Sequence, residues 1–270
     1  MALIHPLAYI EDGAVLGKNV SIGAFASIGA EVTIGDNTTV ASHAVIEGLT
    51  TIGKGNRIFS HSAIGTIPQD LKFDGERVEL IIGDNNTIRE FTLINPGTKG
   101  GGSITKIGDG NLLMGYVHIG HDVIIGNNCI LANGATLAGH VELGNSVVVG
   151  GLTPIHQFVK VGDFAMIAGA SALAQDVPPF TLAEGNRASL RGLNLTGLRR
   201  TLSRVEIDEL KWAYKRLFES GKPLQEVSSD ILSSSKSKNI IKLCEFIKNS
   251  KRGIPFIRKS STDNNSKGRK

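Results

Sequence analysis

The chain has 270 residues, 41% hydrophobic but only 5% aromatic, with 33 glycines and a net charge of +4. That composition suits a core of small aliphatic side chains with many tight turns. It excludes a disulfide-built scaffold, because Cys129 and Cys244 lie far apart with no CxxC or Cys/His pattern. No apolar run approaches the ~20 residues a membrane-spanning helix needs, and the opening MALIHPLAYIEDGAV lacks the basic start of a secretion signal. The expected compartment is the cytoplasm.

From Ile4 onward an aliphatic residue falls at every sixth position through Ile10, Leu16, Ile22, Ile28, Ile34, Val40, Ile46, Ile52 and Ile58 to Ile64. The register reappears at Ile82, Ile88 and Ile94, then runs from Ile107 through Leu113, Ile119 and Ile125 to Leu173. The next residue is usually Gly or Ala, and the fifth position of each unit is usually small. A helix requires spacings of three and four and a simple strand a spacing of two. A hexapeptide fits one short strand and a bend, so three units close a triangular coil. Coils stack at ~4.8 Å through parallel backbone ladders. The expected fold is therefore mainly β, a parallel β-helix of hexapeptide repeats over residues 1–186.

Two stretches break the register. Residues 65–81 put polar Asp70 and Glu76 where aliphatics are due, and residues 95–106, with NPGTKGGG, shift the count by one. Both read as loops thrown out from the coil, where a rigid scaffold tends to carry binding groups. The glycines at 97–102 lack the GK[ST] ending and strand-to-helix context of a phosphate-binding P-loop.

Pro178 and Pro179 close the last coil, and a helical domain is expected over 187–260. Ser203 and Glu206 form a capping box before a helical apolar stripe that Gly221 and Pro223 end, with further helices over 224–234 and 238–250. The tail, 261–270, is polar and basic and is expected to be disordered. Charge divides between the two parts. Residues 181–270 carry 20 Lys/Arg against 9 Asp/Glu, while residues 1–180 carry 9 against 16. The basic half points to an acidic partner. It lacks the interleaved aromatics of a nucleic-acid surface.

A solenoid fills its own interior, so a substrate must bind on an outer face, in a loop or between copies, which favours a symmetric oligomer. His118, His121 and His140 cluster in adjacent coils. His140 follows His121 by one coil and a single further position. The two therefore share a corner, where Gly, Asn or Asp would suffice for the turn. Asp122 stands ready to orient the His121 imidazole. A neutral histidine near a hydroxyl is a natural general base, and Gly139 offers an unshielded N–H as an oxyanion donor.

The runs IPQDLK (67–72), NLLMGYVHIGHD (111–122), CILANGATLAGHVELG (129–144), IHQF (155–158), AQDVPPF (174–180) and EGNRASLRGLN (184–194) resemble the UDP-N-acetylglucosamine acyltransferases of lipid A biosynthesis. The resemblance covers nearly the whole chain. It implies a left-handed β-helix with a small C-terminal α-helical domain, assembled as a homotrimer with active sites between subunits. The implied reaction moves an (R)-3-hydroxyacyl chain from acyl carrier protein to the glucosamine 3-position of the UDP-sugar, without cofactor or metal. On this resemblance His121 is the general base, Asp122 its partner and the Gly139 backbone the oxyanion donor. Asp70, Lys72, His118, His140, His156 and Gln157 hold the sugar nucleotide or pantetheine, Asn194 and Arg200 lie at the nucleotide end, and Gly169 leaves room for a longer acyl chain. The basic C-terminal region is the implied dock for the acidic carrier protein. Thr196 and Thr201 replace an acidic and a basic residue of the best-known members, and Gly120 replaces a common Ala.

Three rivals make different demands. A zinc-dependent, carbonic-anhydrase-like solenoid needs three histidine ligands and leaves the basic domain without a use. A related acyltransferase with an amino-sugar acceptor shares most of the pattern, and the glucosamine N-acyltransferase of the same pathway carries a domain before its first repeat. A non-enzymatic ice-binding or adhesive solenoid predicts flat Thr arrays, which this sequence lacks.

Overall fold

In the computed structural model, residues 2–256 are described; the tail expected at 261–270 lies outside them. Short parallel strands stack into three sheets of 11, 8 and 8 strands. The first contains Leu3–Ile4, the second Tyr9–Ile10 and the third Val15–Leu16, and the chain visits them in that order coil after coil. Register is kept from coil to coil, as in Ile28↔Ile46 and Ile46↔Ile64. The inward aliphatics from Ile22 onward form one continuous core. Ile4, in the uncovered first coil, is 44% exposed because no coil lies beneath it.

Polar residues extend this core rather than interrupt it. Asn56, Asn86 and Asn111 are buried at the inward fifth position. Asn56 Oδ1 accepts the Asn86 N–H at 2.8 Å, Asn86 Oδ1 the Asn111 N–H at 2.8 Å, and Asn111 Oδ1 the Cys129 N–H at 2.7 Å. Each amide oxygen thus meets a backbone donor of the next coil, as a buried polar group requires. The expected small fifth residue gives way to Asn where that ladder compensates.

The corners are built on residues with positive φ. Between the third and first sheets stand Asn19, Asn37, Asn85 and Asn128, residues that tolerate the left-handed conformation. An Asx ladder runs beside them: Asp109 Oδ1 accepts the Asp84 N–H, Asn127 Oδ1 the Asp109 N–H, and Asn145 Oδ1 the Asn127 N–H, at 2.7 to 2.9 Å. Between the first and second sheets the same conformation is taken by Phe25, His43, His61, Phe91 and Tyr116, whose rings stack at 4.9 to 5.1 Å.

Both loops leave the coil at the remaining corner, between the second and third sheets. Ile64 pairs with Ile94, where an uninterrupted coil would offer Ile82, and Ile94 pairs with Ile119, where it would offer Leu112. The first loop thus lengthens its coil by two hexapeptide units, and the second by one unit and a single further position. Both are shorter than the sequence implies, because the strands Glu79–Ile82 and Ile104–Ile107 begin inside the expected loop ranges. Their alternate residues Leu80 and Thr105 are buried, which extends the pairing toward the N-terminal side.

The solenoid also reaches past the expected boundary at 186. Strand Thr181–Glu184 joins the first sheet and folds back, antiparallel, on Ser189–Leu193, with residue 186 in the turn. Among the described residues four helices follow: α1 (Leu195–Leu198), α2 (Arg204–Phe218), α3 (Leu224–Ser234) and α4 (Lys238–Asn249). The Ser203/Glu206 capping box opens α2. One turn long, α1 has no periodic signal in the sequence. The segment after α4 returns to the coil, where the buried Asp176 accepts the Lys160 N–H at 2.8 Å and the Ser250 hydroxyl at 2.7 Å.

Candidate active site

Loop placement and coil register bring five successive coils to one corner. The first two contribute the loops, the third His121 and Asp122, the fourth Gly139 and His140, and the fifth Phe158. Asp122, His140 and Phe158 occupy the left-handed corner position that Asn fills elsewhere, with φ of 59°, 62° and 65°.

Asp122 is the hub. Its side chain is 1% exposed, and its Oδ2 lies 2.8 Å from His121 Nδ1. His140 Nδ1 is 3.8 Å from the same oxygen, and its ring meets His121 edge-on at 5.0 Å and stacks on Phe158 at 4.3 Å. The carboxylate fixes the His121 tautomer with hydrogen on Nδ1, leaving Nε2 as the free base. A Cβ on Gly139 would lie 2.4 Å from His121 Cε1 and 2.5 Å from Nε2, so the imidazole rests directly on that glycine. Among the described residues nothing accepts a hydrogen bond from the Gly139 N–H. The corner therefore holds an oriented base beside an unused backbone donor.

His118 sits on the adjoining strand with Nδ1 buried and unpartnered. Burial lowers its pKa, and the neighbouring His121 adds to the effect. Burial also lowers that of His140, although Asp122 and Asp70 pull the other way. Both rings are held toward the neutral form and can donate or accept hydrogen bonds at neutral pH.

A cleft of about 940 Å³ opens between the loops, lined by Asp70, Lys72, Glu76, Thr98, His140 and Phe158. A second, of about 620 Å³, lies further along the second sheet between small and apolar residues, with His156 and Arg187 at its edge. Gln157 is exposed on the same turn as His156. Gly169 is exposed on another corner, and a Cβ there would meet only ordinary contacts of 3.5 Å or more, so the fold itself does not demand glycine.

Two further candidates from the sequence also stand away from this corner. Asn194 is buried, caps α1 through the Gly197 N–H at 3.1 Å, and donates to the Phe164 carbonyl at 3.0 Å. That geometry gives its carboxamide a structural task. Arg200 is exposed just beyond α1. Sequence reasoning also missed Thr98, Gly101, Thr105 and Phe158. The GGG run was the visible signal for the loop, but nothing in one dimension aims it at Asp122.

His121, Asp122 and His140 offer ligand atoms within 4.8 Å of one another, close enough to surround an ion. The Asp122 carboxylate already accepts from Thr98 N at 2.9 Å, from Thr98 Oγ1 at 2.6 Å and from His121 Nδ1. An ion there would have to displace those donors, so the arrangement favours a proton-transfer pair over a metal centre.

A hexapeptide solenoid with a histidine–carboxylate pair at one corner and a small helical domain defines the class of hexapeptide-repeat transferases. The description "bacterial transferase hexapeptide (six repeats)" matches residues 13–48 and 104–139, and "Udp N-acetylglucosamine O-acyltransferase; Domain 2" matches 176–255. A Sulfurovum protein named acyl-(acyl-carrier-protein)--UDP-N-acetylglucosamine O-acyltransferase is 75% identical over 96% of this chain and 100% of its own. The protein of that name from Aliarcobacter butzleri is 66% identical over 95% and 99%. The UDP-N-acetylglucosamine acyltransferase structure from Campylobacter jejuni superposes with a TM-score of 0.91 at 53% identity, covering 94% of this chain and all of that one. An Arabidopsis structure of the same description gives 0.82 at 34% identity, over 94% of this chain and all of that one. The chain belongs to the UDP-N-acetylglucosamine O-acyltransferase family.

Proposed function

We propose that the chain transfers a (R)-3-hydroxyacyl group from acyl carrier protein to the glucosamine 3-hydroxyl of UDP-N-acetylglucosamine, in lipid A biosynthesis, with His121 as base. The transfer itself follows from family membership; the half-buried His121, paired with the buried Asp122 beside a free Gly139 N–H, carries the assignment of roles. His121 Nε2 takes the proton of the 3-hydroxyl as its oxygen attacks the thioester carbonyl carbon. The Gly139 N–H donates to the developing oxyanion. On collapse the carbon–sulfur bond breaks, and the thiolate leaves as thiol by taking the proton from the imidazolium. The Asp122 carboxylate stabilises that cation while it lasts.

Asp70, Lys72, His118 and His140 are the groups we assign to the sugar nucleotide, since Asp70, Lys72 and His140 line the cleft beside the base and His118 lies on the strand next to it. His156 and Gln157 are assigned to the pantetheine arm along the second cleft, and Gly169 to acyl length. Arg200 and the neighbouring cations are assigned to acidic partners, the nucleotide phosphates and the carrier protein; Asn194 acts there by shaping the turn. A homotrimer with the site between subunits is part of this reading, supported by exposed Phe158 lining the cleft and by exposed Tyr116 and Leu152 at the corner between the first and second sheets. A carrier-protein donor supports a cytoplasmic reaction as part of this reading. No helix among the described residues is long and apolar enough to cross a membrane.

The test is transfer by the purified chain from 3-hydroxyacyl carrier proteins of several lengths to UDP-N-acetylglucosamine, beside its 3-amino analogue. An ester product supports the proposal. An amide formed only from the amino sugar would redirect it to the amino acceptor. Loss of transfer on removing zinc would favour the metal reading.

A further inference from the structure

The loop over 95–103 does more than border the cleft, for its contacts are concentrated on one group. Thr98 Oγ1 donates to Asp122 Oδ2 at 2.6 Å, and the Thr98 N–H donates to Oδ1 at 2.9 Å. Oδ2 is also the oxygen that meets His121 Nδ1. From the strand Ile104–Ile107 that follows the loop, Thr105 Oγ1 accepts the Asp122 N–H at 2.8 Å. A Cβ on Gly101 would lie 2.0 Å from Asp122 Cγ, so the loop backbone lies flat over the carboxylate and seals it from water. The loop is itself tied down, because Glu76 Oε1 of the first loop accepts the Lys99 N–H at 3.0 Å.

A buried carboxylate stays charged only where donors replace its water. Asp122 has two from Thr98, and being gripped at both oxygens it cannot rotate about its Cβ–Cγ bond. Rotation would swing Oδ2 away from His121, and a base misplaced by about 1 Å can lose about 10²-fold in rate. We infer that Thr98 is a positioning residue of the acyl transfer: its hydroxyl and N–H fix the Asp122 carboxylate that orients His121, which makes the glycine-rich loop part of the acid–base device. This inference rests on the reading of His121 as the base.

Thr98→Val keeps the backbone donor and the shape while removing the hydroxyl; Thr98→Ser keeps both donors. Other titratable groups face this pair: His118 from the preceding strand, His140 from the next coil, Asp70 and Lys72 across the cleft, and Glu76 with Lys99 at the tie between loops. The Val variant should lose about 10–100-fold in kcat, the range for removing an outer hydrogen bond that orients an active-site ligand. Its KM for the sugar nucleotide should stay near that of the unaltered chain. The acid limb of its kcat/KM profile should move to higher pH, because a carboxylate with one donor fewer holds the imidazolium more tightly. The Ser variant should restore both kcat and the limb.

A folded Val variant with unaltered kcat and acid limb would overturn the inference. Equal impairment of Val and Ser variants would also overturn it, since loop packing and not the hydroxyl would then matter. His121→Ala separates the two levels. Full turnover in that variant would remove the underlying reading, whereas its inactivity beside an unaffected Thr98→Val would remove only the role of Thr98.

Discussion

Two corners of this prism place histidine in the left-handed turn position, His43 and His61 at one and His140, beside His121, at the other, and they have little else in common. At the corner between the first and second sheets, His43 and His61 stack face to face within a ladder of rings, parallel to within 10°. Among the described residues no carboxylate meets them, and both are exposed. At the corner between the second and third sheets, His121 and His140 meet edge-on around a carboxylate that is 1% exposed. A bulky residue in a turn that favours Asn or Gly costs about 1–3 kcal/mol. Ring stacking offsets that cost in the first ladder. In the second the neighbouring histidines do not stack on one another, and what distinguishes the corner is a buried anion with a base against it. A histidine in an unusual turn is therefore not the sign of a site; a histidine whose partner has been desolvated is.

Substitutions can break this contrast, in descending order of effect. Asp122→Asn should lower kcat by about 10³-fold, because an amide turned toward His121 Nδ1 favours the wrong tautomer. Gly139→Ala should cost about 10²-fold, since the added methyl claims the space of the imidazole and displaces it by about 1 Å. Both variants should keep the melting temperature of the parent to within a few degrees, which calorimetry can check. Asn127→Ala belongs to the opposite case, the Asx ladder, and should leave turnover unchanged. Its loss of the bond from the Asp109 N–H should destabilise the chain by about 0.5–1.5 kcal/mol in urea unfolding.

The smallest effect concerns pH. Burial holds His118 and His140 below the ordinary 6.5, so the folded chain resists protons that the unfolded chain accepts. The sign is that stability is intact above about 6.5 and falls as the pH drops below it. Melting temperatures between pH 7.5 and 5.5 should therefore decline, and less steeply in His118→Asn.

Much of the fold was legible because the hexapeptide period is local: each inward aliphatic announces its unit without reference to any other. The Ser203/Glu206 capping box and the apolar stripe of α2 were legible for the same reason. The Asn56–Asn86–Asn111 ladder was not, because the intervening loops make its two intervals unequal, and no fixed period reveals them. The hairpin over 181–193 was hidden too, since its pairing reverses direction where every earlier coil ran parallel. At the site, an offset of just over one coil located His121 beside His140, and adjacency alone proposed Asp122 as partner. Thr98 could not be found that way. Its role depends on an inserted loop folding back over the coil, and Phe158 matters only through the ring of His140 beneath it.

The central claim is that the chemistry belongs to the histidine with the buried carboxylate and not to the stacked histidines. Steady-state transfer from 3-hydroxyacyl carrier protein to UDP-N-acetylglucosamine, measured side by side for His121→Ala and His43→Ala, tests it most directly. The account predicts a fall of about 10²–10⁴-fold in kcat for His121→Ala and turnover within about twofold of the parent for His43→Ala, as expected of an exposed site away from the reaction. Parent-like turnover in His121→Ala, or an equal fall in both, would contradict it.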